Sequence, residues 1–257
     1  MHSPRKRFGQ NFLEDRGVVE QIVAAIRPQP GERFIEIGPG LGALTLPLLQ
    51  RLGHLDAIEI DRDIVEGLRA SHPANRLTIH EGDALEFDIA ALGNDLRVVG
   101  NLPYNISTPL LFHLTDQAGA VRDAHFMLQR EVVDRMSAQP GTAEYGRLSV
   151  MLQYRWNIDS LFDVPPSAFR PAPKVWSSVV RMIPHRVLPH IAHDERLFAD
   201  VVMRAFGQRR KTLRNTLREK LTASDFEHLG IDPVARGETL GVADFVRIAN
   251  FIAGAAD

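Results

Sequence analysis

Arg33-Phe-Ile-Glu-Ile37 is a short, mostly apolar run, and Gly38-Pro-Gly-Leu-Gly42 follows it directly. The run reads as a strand, and helical periodicity resumes at once over Ala43–Leu52. Glycines between a strand and a helix let the backbone turn tightly and approach a ligand closely. The N-terminus of the helix that follows favours a negative group. Downstream the alternation continues. Strands are predicted over His54–Ile60, Arg76–His80, Leu96–Gly100 and His125–Gln129, with helices over Asp61–Ser71 and Thr108–Thr115. Such alternation argues for an α/β fold, a mostly parallel Rossmann-like sheet with helices on both faces. Two later runs, Leu148–Trp156 and Lys174–Ile183, lack intervening helical periodicity and are expected as an antiparallel edge of that sheet.

Pro184–His193 carries two prolines and three histidines and reads as a linker. Helices are expected after it over Glu195–Phe206, Lys211–Leu221 and Val242–Ile252, with Asp225 and Asp244 near helix starts. The predicted organisation is therefore an α/β domain over 1–186 and a small C-terminal all-helical domain over 187–257. The linker histidines, including His190 and His193, lack a third partner at ligand spacing, so no metal site is expected.

The 257 residues include no cysteine, which excludes a disulfide framework, a thiolate zinc site and a cysteine nucleophile. That fits a reducing cytoplasm. Arg5-Lys-Arg7 is not followed by an apolar run, so neither a signal peptide nor a membrane span is expected. Net charge is only −2, but it is unevenly placed. Residues 31–95 hold 5 basic and 12 acidic residues, whereas 164–257 hold 14 and 10. The stretches 164–193 and 201–218 contain no acid. A basic face for a polyanion is one account of this asymmetry, and ordinary solvated helix faces are the other.

Two cofactors compete for the glycine loop. Gly38, Gly40 and Ala43 match a dinucleotide fingerprint, with Glu59 placed for a ribose. Glu36 followed by Gly38, Gly40 and Gly42 matches the acid-x-G-x-G-x-G loop of S-adenosylmethionine methyltransferases, which use the same ribose acid. Asp83 follows the third strand, where a carboxylate can accept an adenine amino group or simply brace a turn. Asn101-Leu-Pro-Tyr104 then ends the fourth strand, at the carboxyl edge where such sheets place the reacting ligand. This tetrapeptide decides for methyl transfer to an amino nitrogen. The adenine amino lone pair is delocalised into the ring. Two acceptors, the Asn101 side-chain oxygen and the Leu102 carbonyl, can pyramidalise that nitrogen. Pro103 stiffens the turn, and Tyr104 offers a stacking face worth about 1–3 kcal/mol.

Four stretches together resemble the ribosomal RNA adenine N6,N6-dimethyltransferases. They are Arg7-Phe-Gly-Gln-Asn-Phe-Leu13, Glu36–Gly42, Gly100-Asn-Leu-Pro-Tyr-Asn-Ile-Ser-Thr-Pro109 and Pro165-Pro-Ser-Ala-Phe-Arg-Pro-Ala-Pro-Lys-Val175. The run Ala205-Phe-Gly-Gln-Arg-Arg-Lys-Thr-Leu-Arg-Asn215 is similar to their bacterial small-subunit branch. The resemblance implies S-adenosylmethionine as cofactor, held by Asn11, Leu13, Gly38, Glu59, Asp83 and Asn101. It implies an adenine amino group held by Asn101 and Leu102, and its base clamped between Tyr104 and Phe169. It also implies, as substrate, two adjacent adenines near the 3′ end of 16S rRNA within the small (30S) subunit, during assembly. Without the resemblance, Phe169 reads as a small core anchor under a loop. Arg209, Arg210 and Lys211, in the acid-free run, are expected to contact phosphates. The chain is expected to act as a monomer. Trp176 departs from the family, which usually has a polar residue there, and a packing difference at the sheet edge is expected.

Overall fold

The computed structural model describes residues 11–208 and 210–254. In chain order its elements begin with β1 (Phe12–Leu13), α1 (Arg16–Ile26), β2 (Phe34–Ile37), α2 (Thr45–Leu52), β3 (Leu55–Glu59), α3 (Arg62–Ser71) and β4 (Leu77–Glu81). They continue with β5 (Leu96–Asn101), α4 (Ser107–Asp116), β6 (Val121–Gln129), α5 (Arg130–Ser137), α6 (Arg147–Gln153), β7 (Trp156–Val164), β8 (Phe169–Arg170) and β9 (Ser177–Pro184). Helices α7 (Glu195–Gly207), α8 (Leu213–Thr216), α9 (Ala223–Leu229) and α10 (Val242–Gly254) close the chain.

Seven strands form one sheet in the order β4-β3-β2-β5-β6-β9-β7. The pairs from β4 to β6 are parallel, and β9 lies antiparallel to β6. Phe34 belongs to a core shared with Leu48 and Leu52 of α2, Leu68 of α3 and Ile22 and Ile26 of α1. Its neighbours Ile35 and Ile37 are at most 2% exposed, so both faces of β2 are covered. Burial on both faces is why the central parallel strands read as mostly apolar runs without strict alternation. The chain leaves β2 for β3 and β4 on one side and returns to β5 on the other. The carboxyl ends of β2 and β5 therefore border the reversal of strand order, where open α/β sheets form a crevice. Gly100 makes the approach of these strands possible, because a Cβ there would lie 2.5 Å from the Ile37 carbonyl oxygen.

The chain divides into two compact units, one formed by residues up to Val133 with Asn157–Pro184, the other by Asp134–Trp156 with His185 onward. The predicted boundary at 186/187 lies near the third crossing, at 184/185, but residues 134–156 also belong to the second unit. There Tyr145, Val150 and Tyr154 share a core with Phe198, Val202, Phe226 and Phe245. The Tyr145 hydroxyl donates to the Leu240 carbonyl at 2.8 Å.

Two element assignments are corrected. Leu148–Trp156 is not an edge strand: Arg147–Gln153 is helix α6, and the edge strand β7 starts at Trp156. A short apolar run does not distinguish a buried helix from a buried strand. The decision falls at its start, where the Gly146 N–H donates to Ser149 Oγ at 3.0 Å. Helix is also far shorter than expected over Lys211–Leu221. Leu213, Leu217 and Leu221 are buried at helical spacing, but the Leu213 and Arg214 N–H groups donate to the carbonyls of Ala235 and Pro233. Only Leu213–Thr216 remains helical. The other C-terminal helices stand where expected. Asp194 caps α7, and Asp225 completes a reciprocal cap with Thr222 at α9. Among the described residues, no helix is long and apolar enough to cross a membrane.

Candidate active site

At the carboxyl edge between β2 and β5 lies a cavity of about 260 Å³. Its walls come from the glycine loop, the ends of β3, β4 and β5, and β1 with the residue before it. Gly38, Gly40 and Gly42 all have positive φ, at 66°, 54° and 87°. L side chains rarely adopt that region. A Cβ on Gly40 would also press on the Phe12 ring at 3.1 Å. The Gly38 N–H donates to the Ile58 carbonyl at 2.9 Å, which ties the loop to β3.

Two buried carboxylates lie on this loop side. Glu36, 2% exposed, accepts from the Thr45 hydroxyl at 2.6 Å. Burial pushes its carboxyl up to about 7, against the Thr45 bond and with help from the negative Glu59. Glu59 ends β3, and its Oε1 accepts from the N–H groups of Ile60 and Asp61 at 3.0 and 2.9 Å. Its Oε2 accepts more weakly from the Gly40 N–H at 3.4 Å. Burial also raises the Glu59 carboxyl, and the backbone donors oppose the rise. Asp83 lines the cavity below β4, and its Oδ1 accepts from the Leu85 N–H at 2.9 Å. That bond is the turn role anticipated as the alternative, and it leaves Oδ2 for another donor.

Opposite stands Asn101-Leu-Pro-Tyr104, all four residues in the cavity wall. Asn101 Nδ2 donates to the Asn11 carbonyl at 3.0 Å. With its amide nitrogen committed, Asn101 presents Oδ1, a pure acceptor, to a ligand. The Leu102 N–H donates to the Met127 carbonyl at 3.1 Å, which sets the turn against β6. The Tyr104 hydroxyl lies 2.7 Å from Ser177 Oγ, at the start of β9. Burial raises the Tyr104 phenol above its ordinary value, and the Ser177 bond partly offsets this.

The cavity thus unites Asn11, Leu13, Gly38, Glu59, Asp83 and Asn101–Tyr104, of which Asn11 and Asn101 are 90 residues apart. Phe169 is not in its lining. That ring is 5% exposed and sits in the core with Leu13, Val164 and Ala168, on β8 paired with β1. The structure therefore buries Phe169 as a core anchor would be, paired in register with Leu13 of the cavity wall. Arg210 and Lys211 are exposed in the second unit, and Arg209 lies outside the described residues. Trp176 is 49% exposed beside the start of β9. Three contributors escaped sequence reasoning. The Thr45 hydroxyl and Ser177 looked like generic helix and strand residues, and the Asn11 carbonyl is a backbone group with no sequence signal.

A doubly wound sheet with this loop, a ribose-type acid and a proline turn after β5 defines a Rossmann-like enzyme acting on a nucleotide-sized cofactor. The model of the ribosomal RNA adenine dimethylase family matches residues 1–254. The Ribosomal RNA small subunit methyltransferase A of Aromatoleum aromaticum is 65% identical over 98% of this chain and 95% of its own. That of Thiobacillus denitrificans is 62% identical over 98% and 99%. In fold, the chain is similar to a dimethyladenosine transferase from Plasmodium falciparum, with a TM-score of 0.78, 24% identity and coverage of 92% and 95%. It is also similar to the 23S rRNA methyltransferase ErmE, with a TM-score of 0.73, 22% identity and coverage of 95% and 100%. The chain belongs to the ribosomal RNA adenine dimethylase family, whose members dimethylate adenine in ribosomal RNA.

Proposed function

We propose that the chain binds S-adenosylmethionine in this cavity and dimethylates the N6 amino groups of two adjacent adenines near the 3′ end of 16S rRNA, within the small (30S) subunit. The observation that carries the chemistry is the Asn101 amide. Its Nδ2 is bound to the Asn11 carbonyl at 3.0 Å, so the acceptor end is left for the substrate amino group. Relatives above 60% identity over nearly the whole chain, all named for the small subunit, support that choice of ribosomal subunit.

The residues present suit the cofactor. Two buried acids, Glu36 and Glu59, favour a cation nearby. A carboxylate has about four lone-pair sites, so Glu59 can accept ribose hydroxyls beyond its backbone donors. Asp83 Oδ2 can accept from an adenine amino group. The positive-φ glycines let the backbone lie close to the ligand, and Asn11 and Leu13 close the wall. When bound, S-adenosylmethionine supplies a methyl group on an electrophilic sulfonium. Asn101 Oδ1 and the Leu102 carbonyl accept the two amino N–H bonds and so turn the nitrogen lone pair outward. Pro103 holds the carbonyl in place, and Tyr104 stacks on the base. The nitrogen becomes acidic only once methylated, so no strong base is required, and alignment of two bound reactants supplies much of the rate. Phe169 contributes to the clamp either as a second stacking face or by supporting β1 from the core. Arg209, Arg210 and Lys211 contact phosphates. The protein works in the cytoplasm as a monomer and takes a partly assembled subunit in preference to bare RNA.

Titration calorimetry without RNA tests the cofactor assignment. Heat of binding is expected with S-adenosylmethionine and none with NADH; the reverse pattern would overturn it.

A further inference from the structure

The run Arg170-Pro-Ala-Pro-Lys-Val-Trp176 connects β8 to β9 and contains two cations and no acid. Arg170, Lys174, Val175 and Trp176 are all exposed, the indole at 49% and Val175 at 43%. A half-exposed indole beside an exposed valine is an unusual surface feature for the largest apolar side chain. The backbone beneath it is fixed. The Arg130 N–H donates to the Trp176 carbonyl at 3.0 Å, and Ser177 opens a strand paired with β6. Two prolines restrict the approach.

Its position connects it to the reaction. In the sheet register Asn101 pairs with Met127, and Ser177 pairs with Gln129, two residues further along the same strand. Trp176 therefore stands at the carboxyl edge, two strands and about 10 Å from the Asn101 turn. The residue next to it, Ser177, holds the Tyr104 hydroxyl at 2.7 Å. A base on the Tyr104 ring would have its neighbouring nucleotide at this rim, beside the exposed Lys174, whose charge suits its phosphate; Arg170 is already paired with Glu14 at 3.0 Å. We propose that Trp176 is a stacking platform for a nucleotide flanking the methylated adenine, with Lys174 beside it for the intervening backbone. This rests on the rRNA adenine substrate proposed above. An indole suits the task because every base has a π face and a rigid ring loses little freedom on binding.

Steady-state kinetics on unmethylated small-subunit particles test this with Trp176→Leu and Trp176→Phe. Leucine keeps apolar bulk but has no π face; phenylalanine keeps the face. Trp176→Leu is expected to raise KM for the particle about ten-fold, equal to about 1.4 kcal/mol, with kcat, cofactor affinity and thermal midpoint at wild-type values. Trp176→Phe is expected to recover most of the loss. A wild-type KM for Trp176→Leu, equal defects in both variants, or a fall in thermal midpoint along with kcat would each overturn the platform. Failure of the wild-type enzyme to methylate the particle would instead overturn the substrate reading, and the platform with it.

Discussion

Tyr104 and Phe169 were expected as a pair, and their surroundings separate them. Tyr104 lines the cavity, with its hydroxyl beside Ser177 Oγ and its carbonyl accepting from the Ser107 hydroxyl. Tyr104→Ala is expected to remove most methylation and leave S-adenosylmethionine affinity near wild type; unchanged turnover would take Tyr104 out of the base site. Phe169 is a core residue, so Phe169→Ala should cost about 3–5 kcal/mol of stability in denaturant titration. Phe169→Leu restores most of that volume. If it also restores turnover, the ring acts only as an anchor; if it folds but fails to methylate, the ring also stacks. Glu36 carries a pH signature. Its unfolded carboxyl titrates near 4.5 and its buried one near 7, because burial disfavours the charge. The stability this group contributes is therefore full below pH 4.5 and lost as pH rises through 7. Glu36→Gln keeps the shape and can still accept from Thr45. Its thermal midpoint should gain on the wild type from pH 5 to about 7 and level off above that; a constant difference from pH 5 to 7 would show that Glu36 does not hold a proton.

At the scale of elements, β5 depends on a buried ion cluster at its start. Arg97 donates to Glu32 at 2.7 Å, Asp123 at 3.0 Å and the Ile26 carbonyl at 2.7 Å, and its guanidinium lies 4.7 Å from the centre of the Phe34 ring. Burial raises both carboxyls, yet the Gln29 N–H and Arg97 bring Glu32 below its usual value, as the His125 ring 3.5 Å away and Arg97 do for Asp123. Arg97→Leu takes the guanidinium from two half-buried acids, leaving Asp123 without it and Glu32 with Arg122 at 2.9 Å, and should cost about 3 kcal/mol. Because both folded carboxyls titrate low, their contribution is present above the unfolded values and lost as pH falls through the folded ones. The variant's deficit in urea titration should therefore shrink in acid, and a deficit independent of pH would contradict the cluster's role. The same cluster explains what could be read in advance. The mostly apolar strands β2, β3 and β5, with at most two charged residues each, announce themselves, whereas the first half of β6 carries Arg122 and Asp123 and looks like a loop until their partners are known. The glycine loop and the Asn101 turn were legible because their residue types are demanded by backbone geometry and by chemistry. Helix α1, the β1–β8 pair and the Ser177 anchor were not, because they depend on partners distant in the chain. Helix α6 was mistaken for a strand because nine mostly apolar residues suit either state.

For the whole molecule, charge and identity point to the same substrate. The region 31–95 is acidic and 164–257 carries more basic than acidic residues, an asymmetry that suits the proposed polyanion substrate. Within 201–218, Arg204 is already paired with Asp200 and Glu219, whereas Arg210 and Lys211 are exposed. Replacing Arg209, Arg210 and Lys211 together should weaken subunit binding and flatten its log–log salt dependence by up to about 0.7–0.9 per lost contact. An unchanged slope would remove them from the RNA surface. A helical unit that carries the exposed Arg210 and Lys211, joined to a catalytic one, gains affinity only on a target that offers both contacts in the right geometry. A folded ribonucleoprotein does so, and a short strand does not. The most direct test is mass spectrometry of the nucleosides formed with S-adenosylmethionine on unmethylated 30S particles, naked 16S rRNA and 50S precursors. N6,N6-dimethyladenosine at two adjacent positions near the 3′ end of 16S rRNA, formed in the particle and far less on naked RNA, is the predicted result. Dimethyladenosine confined to large-subunit RNA would contradict it.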